Sequence, residues 1–319
     1  MNELLDVKEL CVEYRTSRAT IRAVKDVSFS LAKGSTLGLV GESGSGKSTL
    51  GHAIVRLVSP PGVIVRGRVS FDGIDLLSID EDGMRKIRGK RIAMVFQDPM
   101  SSLSPVKKVG QHFVEYIREH EPSTSEAEAL QRAKATFEDL GIDRSRVDDY
   151  PHQFSGGMRQ RVMIGLAIAL QPELIIADEP TTALDVVVEA QILELLKDLK
   201  RKYSLSMILI THNMGVVAET TDRIAVMYAG KLMEVAGTRK LFADPKNPYT
   251  RALLQSIPNI LLDDQELRSI PGSPPDLANP PTGCPFHPRC PHVFDRCRVE
   301  EPKLKKVDGE TETACHLFG

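Results

Sequence analysis

The octapeptide Gly41-Glu42-Ser43-Gly44-Ser45-Gly46-Lys47-Ser48 is what most restricts how this chain can fold. It matches the phosphate-binding pattern G-x-x-x-x-G-K-S without departure, a pattern that operates between a strand and a helix. Both flanks comply: Thr36-Leu37-Gly38-Leu39-Val40 reads as a short buried strand and Thr49 to Leu57 as a helix. The glycines let the backbone turn tightly and bring its N–H groups to phosphate oxygens, where side chains would obstruct. Lys47 adds a positive charge, the Ser48 hydroxyl can ligate magnesium, and the following helix offers its N-terminus to the anion.

Composition removes several classes. A chain of 319 residues is long enough for about two domains with a substantial core. Its 41% hydrophobic and 26% charged residues describe a globular protein, and its net charge of -2 gives no general attraction to nucleic acid or anionic membrane. The one basic run, Arg85-Lys86-Ile87-Arg88-Gly89-Lys90-Arg91, reads as solvated surface. The N-terminus, Met1 to Asp6, lacks the layout of a signal peptide, and no stretch reaches the ~18 uncharged apolar residues of a membrane helix. The expectation is a cytoplasmic protein whose link to a membrane comes through a partner.

The rest of the chain surrounds the loop with strand ends. Leu4 to Leu31 alternates as two strands about a polar turn, Arg15 to Thr20, and Tyr14 closes the first of them, where an aromatic face can stack on a base or simply pack. Gly67 to Phe71 reads as a further strand, and Arg91 to Phe96 as a buried one that stops at Gln97-Asp98-Pro99. Pro105 to Tyr150 carries helical spacing only, over Val109 to His120 and Ser125 to Leu140, and is read as a helical insertion into an α/β core. It returns through Phe154-Ser155-Gly156-Gly157-Met158-Arg159-Gln160-Arg161 into an apolar helix ending at Leu170; Ser-Gly-Gly there is either a second anion site or a plain helix cap. The strand Leu174-Ile175-Ile176-Ala177 delivers Asp178, suited to magnesium, and Glu179, suited to activating water. A turn from Thr181 to Asp185 leads to a long helix, Val186 to Tyr203, and the strand Ser206 to Ile210 ends at Thr211-His212-Asn213. Polar groups beyond the carboxyl ends of parallel strands are where such folds keep their ligands. Ile224 to Met227 and Leu232 to Val235 read as a terminal hairpin.

Past Leu241, eight prolines from Pro245 to Pro281 (Pro258 among them) punctuate an extension with little regular structure beyond a helix from Thr250 to Ser256. It ends in Cys284, Cys290, Cys297 and Cys315, while Cys11 stands alone as a small apolar residue. Clustered thiols in a reducing compartment point to a metal or cluster rather than to disulfides. Their spacing, C-x5-C-x6-C-x17-C, is not the pairwise C-x2-C layout of common zinc sites, and four thiolates suit zinc or an iron–sulfur cluster equally well.

In this order and at these separations, GESGSGKS, Gln97, FSGGMRQR, LIIADEP, Ala183-Leu184-Asp185 and His212 resemble the ATP-binding subunits of ABC transporters. Asn247-Pro248-Tyr249-Thr250-Arg251, Ile270-Pro271-Gly272-Ser273-Pro274-Pro275, Gly283-Cys284-Pro285-Phe286 and Arg289-Cys290-Pro291 are similar to the oligopeptide/dipeptide importer branch. The resemblance implies an α/β P-loop NTPase core. It adds an N-terminal antiparallel β subdomain, a helical subdomain over about residues 100–170 and a Pro-rich extension, 241–319, after a nucleotide-binding domain, 1–240. It further implies that Gly41, Glu42, Ser43, Gly44, Ser45, Gly46, Lys47, Ser48 and Thr49 hold ATP with Tyr14 on the adenine. Ser48, Gln97 and Asp178 surround Mg2+, Glu179 polarises water, and His212 contacts the γ phosphate. Ser155, Gly156, Gly157 and Asp185 belong to the nucleotide site as well, Ser155 and Gly157 facing the ATP of a second, homologous subunit. Cys284, Cys290, Cys297 and Cys315 are implied to bind a [4Fe-4S] cluster rather than zinc, with His287, His292 and His316 as bystanders. Asn213 stands where the family usually has Asp, which removes a charge and at worst slows hydrolysis; Met158 is common in this branch.

The function so implied is ATP hydrolysis that energises uptake of oligopeptides, dipeptides or related small solutes. The partners are two transmembrane permeases, a second ABC ATPase and an extracytoplasmic solute-binding protein, with the chain peripheral on the cytoplasmic face. A soluble ABC ATPase acting on nucleic acid or ribosomes is the alternative; it predicts two cassettes in one chain or a strongly basic face, and neither is present. A non-catalytic iron–sulfur module would not need the full set of ATP-site residues.

Overall fold

The computed structural model describes residues 3–97, 103–182, 184–256 and 270–319. Met1, Asn2, Asp98, Pro99, Ala183 and Pro258 lie outside them. The chain forms two compact units, one from residues 1–78 with 209–319 and the other from 79–208.

The alternating N-terminal segment folds as expected into a hairpin, β1 (Glu3–Arg15) against β2 (Thr20–Ala32), antiparallel. The apolar run that follows is β3 (Thr36–Val40), fully buried, and it feeds α1 (Lys47–Ile54) through the glycine-rich loop. The helix starts two residues earlier than its apolar pattern suggests, because Gly46 caps it in a left-handed conformation. It also stops earlier, where Arg56 turns to positive φ. β4 (Gly62–Phe71) begins directly after Pro61, five residues ahead of the expected start at Gly67, and lies antiparallel to β1. β5 (Ile74–Asp75) completes a sheet of order β2-β1-β4-β5.

The second unit opens with α2 (Glu81–Ile87), capped by the Asp80 carboxylate, which accepts from the Gly83 amide. β6 (Ile92–Val95) follows. The helical part is α3 (Val109–His120) and α4 (Glu126–Asp139), then α5 (Gly156–Ile168). Val109, Phe113 and Ile117 form the buried stripe of α3, and Phe113 meets Phe137 of α4 edge-on at 5.6 Å between ring centroids. β7 (Leu174–Asp178) is entirely buried and pairs in parallel with β6, so both strands end side by side. α6 (Val186–Tyr203) has the bounds its sequence predicts: Asp185 caps its first turn, and its last turn is basic. The basic run of this unit is drawn into ion pairs, Arg85 with Glu119, Arg88 with Glu81 and Arg91 with Glu173, as expected for a solvated surface.

Through β8 (Ser206–Thr211) the chain returns to the first unit, and α7 (Met214–Thr220) follows. β9 (Arg223–Tyr228) pairs in parallel with β3, and β10 (Lys231–Gly237) turns back antiparallel on β9. This hairpin is not terminal, contrary to expectation. After α8 (Thr238–Ala243), α9 (Pro248–Gln255) and α10 (Asp295–Val299), the extension adds β11 (Lys305–Asp308) and β12 (Thr311–Thr313). In this unit the strand order is then β11-β12-β10-β9-β3. The extension is therefore more regular than its prolines suggest.

What fastens it is a buried polar pair. Glu234, fully buried, accepts from the backbone amides of Lys246 and Asn247 at 2.7 and 2.9 Å. Asn247, 1% exposed, caps α9 and donates through Nδ2 to the carbonyls of Met233 and Ala314 at 3.0 and 3.1 Å. Burial holds the Glu234 carboxyl above the usual carboxylate range. Asn247→Ala removes the cap and strands buried acceptors, so it is expected to cost about 2–4 kcal/mol. Urea unfolding measures this, and a loss under about 0.5 kcal/mol would contradict the fastening role.

Candidate functional site

The phosphate loop is built inside the first unit by contacts that only glycine permits. A Cβ on Gly46 would stand 2.1 Å from the Ala23 carbonyl oxygen, and one on Gly41 would stand 2.0 Å from that of Met227. Both residues also have positive φ. The Ser45 carbonyl accepts from the Gly230 amide in the β9–β10 turn at 2.9 Å, which ties the loop to the neighbouring strands. Lys47 is 4% exposed, and its ammonium donates to the carbonyls of Gly41 and Glu42 at 2.8 and 3.0 Å. Ser48 and Thr49 lie in the first turn of α1. Tyr14, at the end of β1, comes to this turn, its hydroxyl 3.3 Å from Thr49 Oγ1. His212 and Asn213 follow β8, and the Asn213 side-chain oxygen accepts from the amides of Gly215 and Val216, capping α7. The amide thus fills a capping role in the place where the family usually has Asp.

In the second unit the parallel pairing of β6 with β7 brings their ends together. Asp178 closes β7 at 3% exposure, and Gln97 Nε2 donates to Glu179 Oε2 at 3.1 Å. The Thr182 hydroxyl donates to the same oxygen at 2.8 Å. Glu179 holds φ at 45°, a left-handed conformation that costs a non-glycine residue of order 1–3 kcal/mol and concentrates at functional sites. Ser155 caps α5 by accepting from the Met158 amide at 3.3 Å, so the capping role is real. Gly157 is required by packing, since a Cβ there would meet Val188 Cγ1 of α6 at 2.5 Å. Asp185 caps α6 through the Val188 amide at 2.9 Å, and the next two residues, Val186 and Val187, are 80% and 68% exposed.

The four C-terminal cysteines line one small cavity with His287, His292 and His316. Burial pushes the Cys284 thiol up to about 11, and its three neighbours oppose its ionisation further. The thiols share this cavity, although among the described residues no three His, Cys, Asp or Glu side chains are already grouped as a preformed metal site. The sequence reading also missed residues that touch the phosphate loop. The Glu42 amide donates to the Tyr249 hydroxyl at 2.9 Å, and Arg289 grips the Glu42 carboxylate.

A glycine-cradled lysine after a parallel strand, a strand-end Asp-Glu pair held by a glutamine and a Ser-Gly-Gly helix start define an ATP-binding cassette, an ABC-type ATPase. The ABC transporter family model matches residues 24–182, and that of the oligopeptide/dipeptide transporter C-terminal region matches 233–297, which takes in three of the four cysteines. The chain is 48% identical to the oligopeptide transport ATP-binding protein OppD of Bacillus subtilis, across 96% of this chain and 87% of that one. It is 45% identical to the dipeptide transport ATP-binding protein DppD of Escherichia coli, across 98% and 96%. Among solved structures, a dimeric ATP-binding cassette in a post-hydrolysis state, bound to ADP and Pi, superposes with a TM-score of 0.66 at 29% identity. That match covers 74% of this chain and 99% of the other. The chain belongs to the ATP-binding subunits of oligopeptide/dipeptide ABC importers.

Proposed function

We propose that this chain binds and hydrolyses ATP to energise uptake of oligopeptides, dipeptides or related small solutes. It does so as a peripheral subunit on the cytoplasmic face of two transmembrane permeases, in a system with an extracytoplasmic solute-binding protein. The observation that carries the reading is the Gln97–Glu179 hydrogen bond at the paired strand ends, which presents a water-activating carboxylate in a held, left-handed conformation. Gly41 through Thr49 hold the phosphates, Tyr14 receives the adenine, and His212 contacts the γ phosphate. The hard oxygen donors of Ser48, Asp178 and Gln97 suit Mg2+, which when bound neutralises charge on the phosphate oxygens. Glu179 orients and deprotonates the attacking water, and Lys47 stabilises charge on the transferred group. Residues 1–240 serve as the nucleotide-binding domain and 241–319 as its extension.

Ser155, Gly156, Gly157 and Asp185 serve the ATP of a second ABC subunit, identical or homologous. The exposed Val186 and Val187, beside the residue that packs on Gly157, support a covered face there. The permeases dock on the second unit near Gln97, where Phe96 is 39% exposed and, further along, Val106 is 81% exposed. No described helix is long and apolar enough to cross a membrane. Solubilised membranes should release this chain together with two permeases and a second ATPase; recovery with ribosomes or nucleic acid instead would favour the alternative.

The four thiols are proposed to hold a [4Fe-4S] cluster in a structural role, supported by their convergence on one cavity. Protein purified without oxygen should be brown with about four irons per chain. A colourless, zinc-loaded protein would overturn this.

A further inference from the structure

Arg289 and Tyr249, from two sequence motifs of the extension, have no part in the chemistry above and meet on one residue of the phosphate loop, Glu42, while a third motif braces Arg289. Arg289 of the Arg-Cys-Pro motif forms a bidentate pair with Glu42, Nη1 to Oε2 at 2.7 Å and Nη2 to Oε1 at 3.0 Å. Its side chain is 5% exposed. The Ile-Pro-Gly motif orients that guanidinium, since the Pro271 carbonyl accepts from Nε at 2.8 Å. Tyr249 of the Asn-Pro-Tyr motif accepts from the Glu42 amide, while the Glu42 carbonyl accepts from Lys47. The amide, carbonyl and carboxylate of Glu42 are therefore all engaged. Tyr228, Tyr249 and Phe286 pack ring on ring around the junction, with centroids 4.5 to 5.4 Å apart, and the Tyr228 hydroxyl takes a further hydrogen bond from Arg289 at 3.2 Å.

The charges make this arrangement functional. A carboxylate in a loop that receives a polyanion repels the ligand unless a cation beside it cancels the charge. A bidentate guanidinium does this with fixed geometry, and a buried one is not screened by salt as a surface lysine is.

We propose that Arg289 is a positioning residue for nucleotide binding: acting through Glu42, it neutralises the loop's one carboxylate and holds the loop in its phosphate-accepting form. The inference rests on the reading that the loop binds ATP. The extension is in this account part of the nucleotide site and not only an appendage.

The test compares ATP and adenosine affinities of purified full chain carrying Arg289→Met, Glu42→Gln, or both. Arg289→Met should weaken ATP binding about tenfold or more, the scale of one unit charge at an effective dielectric of about 20, and leave adenosine binding unchanged. Glu42→Gln leaves the Arg289 cation uncancelled beside the phosphates and should bind ATP more tightly than wild type, and the double variant should return to within about threefold of wild type. Wild-type affinity in Arg289→Met overturns the proposal, as does a double variant as weak as Arg289→Met, which would mark a purely structural contact. Should Arg289→Met fail to fold, Glu42→Gln decides alone, since a tenfold loss of ATP affinity there contradicts charge cancellation. Wild-type protein that binds no ATP would instead refute the ATPase reading.

Discussion

Glu179→Gln is expected to lower ATP turnover by about 10²–10⁴-fold while ATP remains bound. The substitution is nearly isosteric and keeps an oxygen to accept from Gln97 and Thr182, which now donate at 3.1 and 2.8 Å. It removes only the ability to take a proton from water, so the loss should fall on kcat, with KM for ATP little changed. Turnover and nucleotide retention measured on the same preparation check this. Equal turnover in both proteins would remove Glu179 from the proposed chemistry.

Lys47→Ala should act on the other side of the reaction, weakening ATP binding by about 100-fold or more. The Lys47 ammonium is 4% exposed and linked to two loop carbonyls, so the variant loses both a cation for the phosphates and a brace for the loop. The weakening should grow from AMP to ADP to ATP, as the phosphates that reach the lysine are added. A uniform loss for all three would mean that the brace alone matters.

The core of the candidate site was legible because local sequence dictates it. The octapeptide at 41–48 needs a strand before it and a helix after it, and β3 and α1 are there. The helix α6 could be bounded because Asp185 and a basic last turn mark its ends. The contact between Gln97 and Glu179 follows from two apolar strands that end together, although residues 82 apart carry no local sign of pairing. The extension was harder. β11 and β12 are short and polar, hold their shape by pairing with β10 and each other, and show little alternation to read. Tyr249 and Arg289 reach Glu42 across 207 and 247 residues, a meeting that only the folded chain discloses. Ser155 keeps its ambiguity by its chemistry, because one hydroxyl serves as a helix cap and as a phosphate donor equally well.

In the proposed function, ATP hydrolysis at Glu179 drives solute uptake. The most direct measurement is accumulation of a labelled di- or oligopeptide by cells that depend on this chain, compared with the same cells carrying Glu179→Gln at equal abundance. Uptake is expected to fall to the level of cells lacking the chain. Undiminished, ATP-dependent peptide uptake with Glu179→Gln would contradict the proposed function.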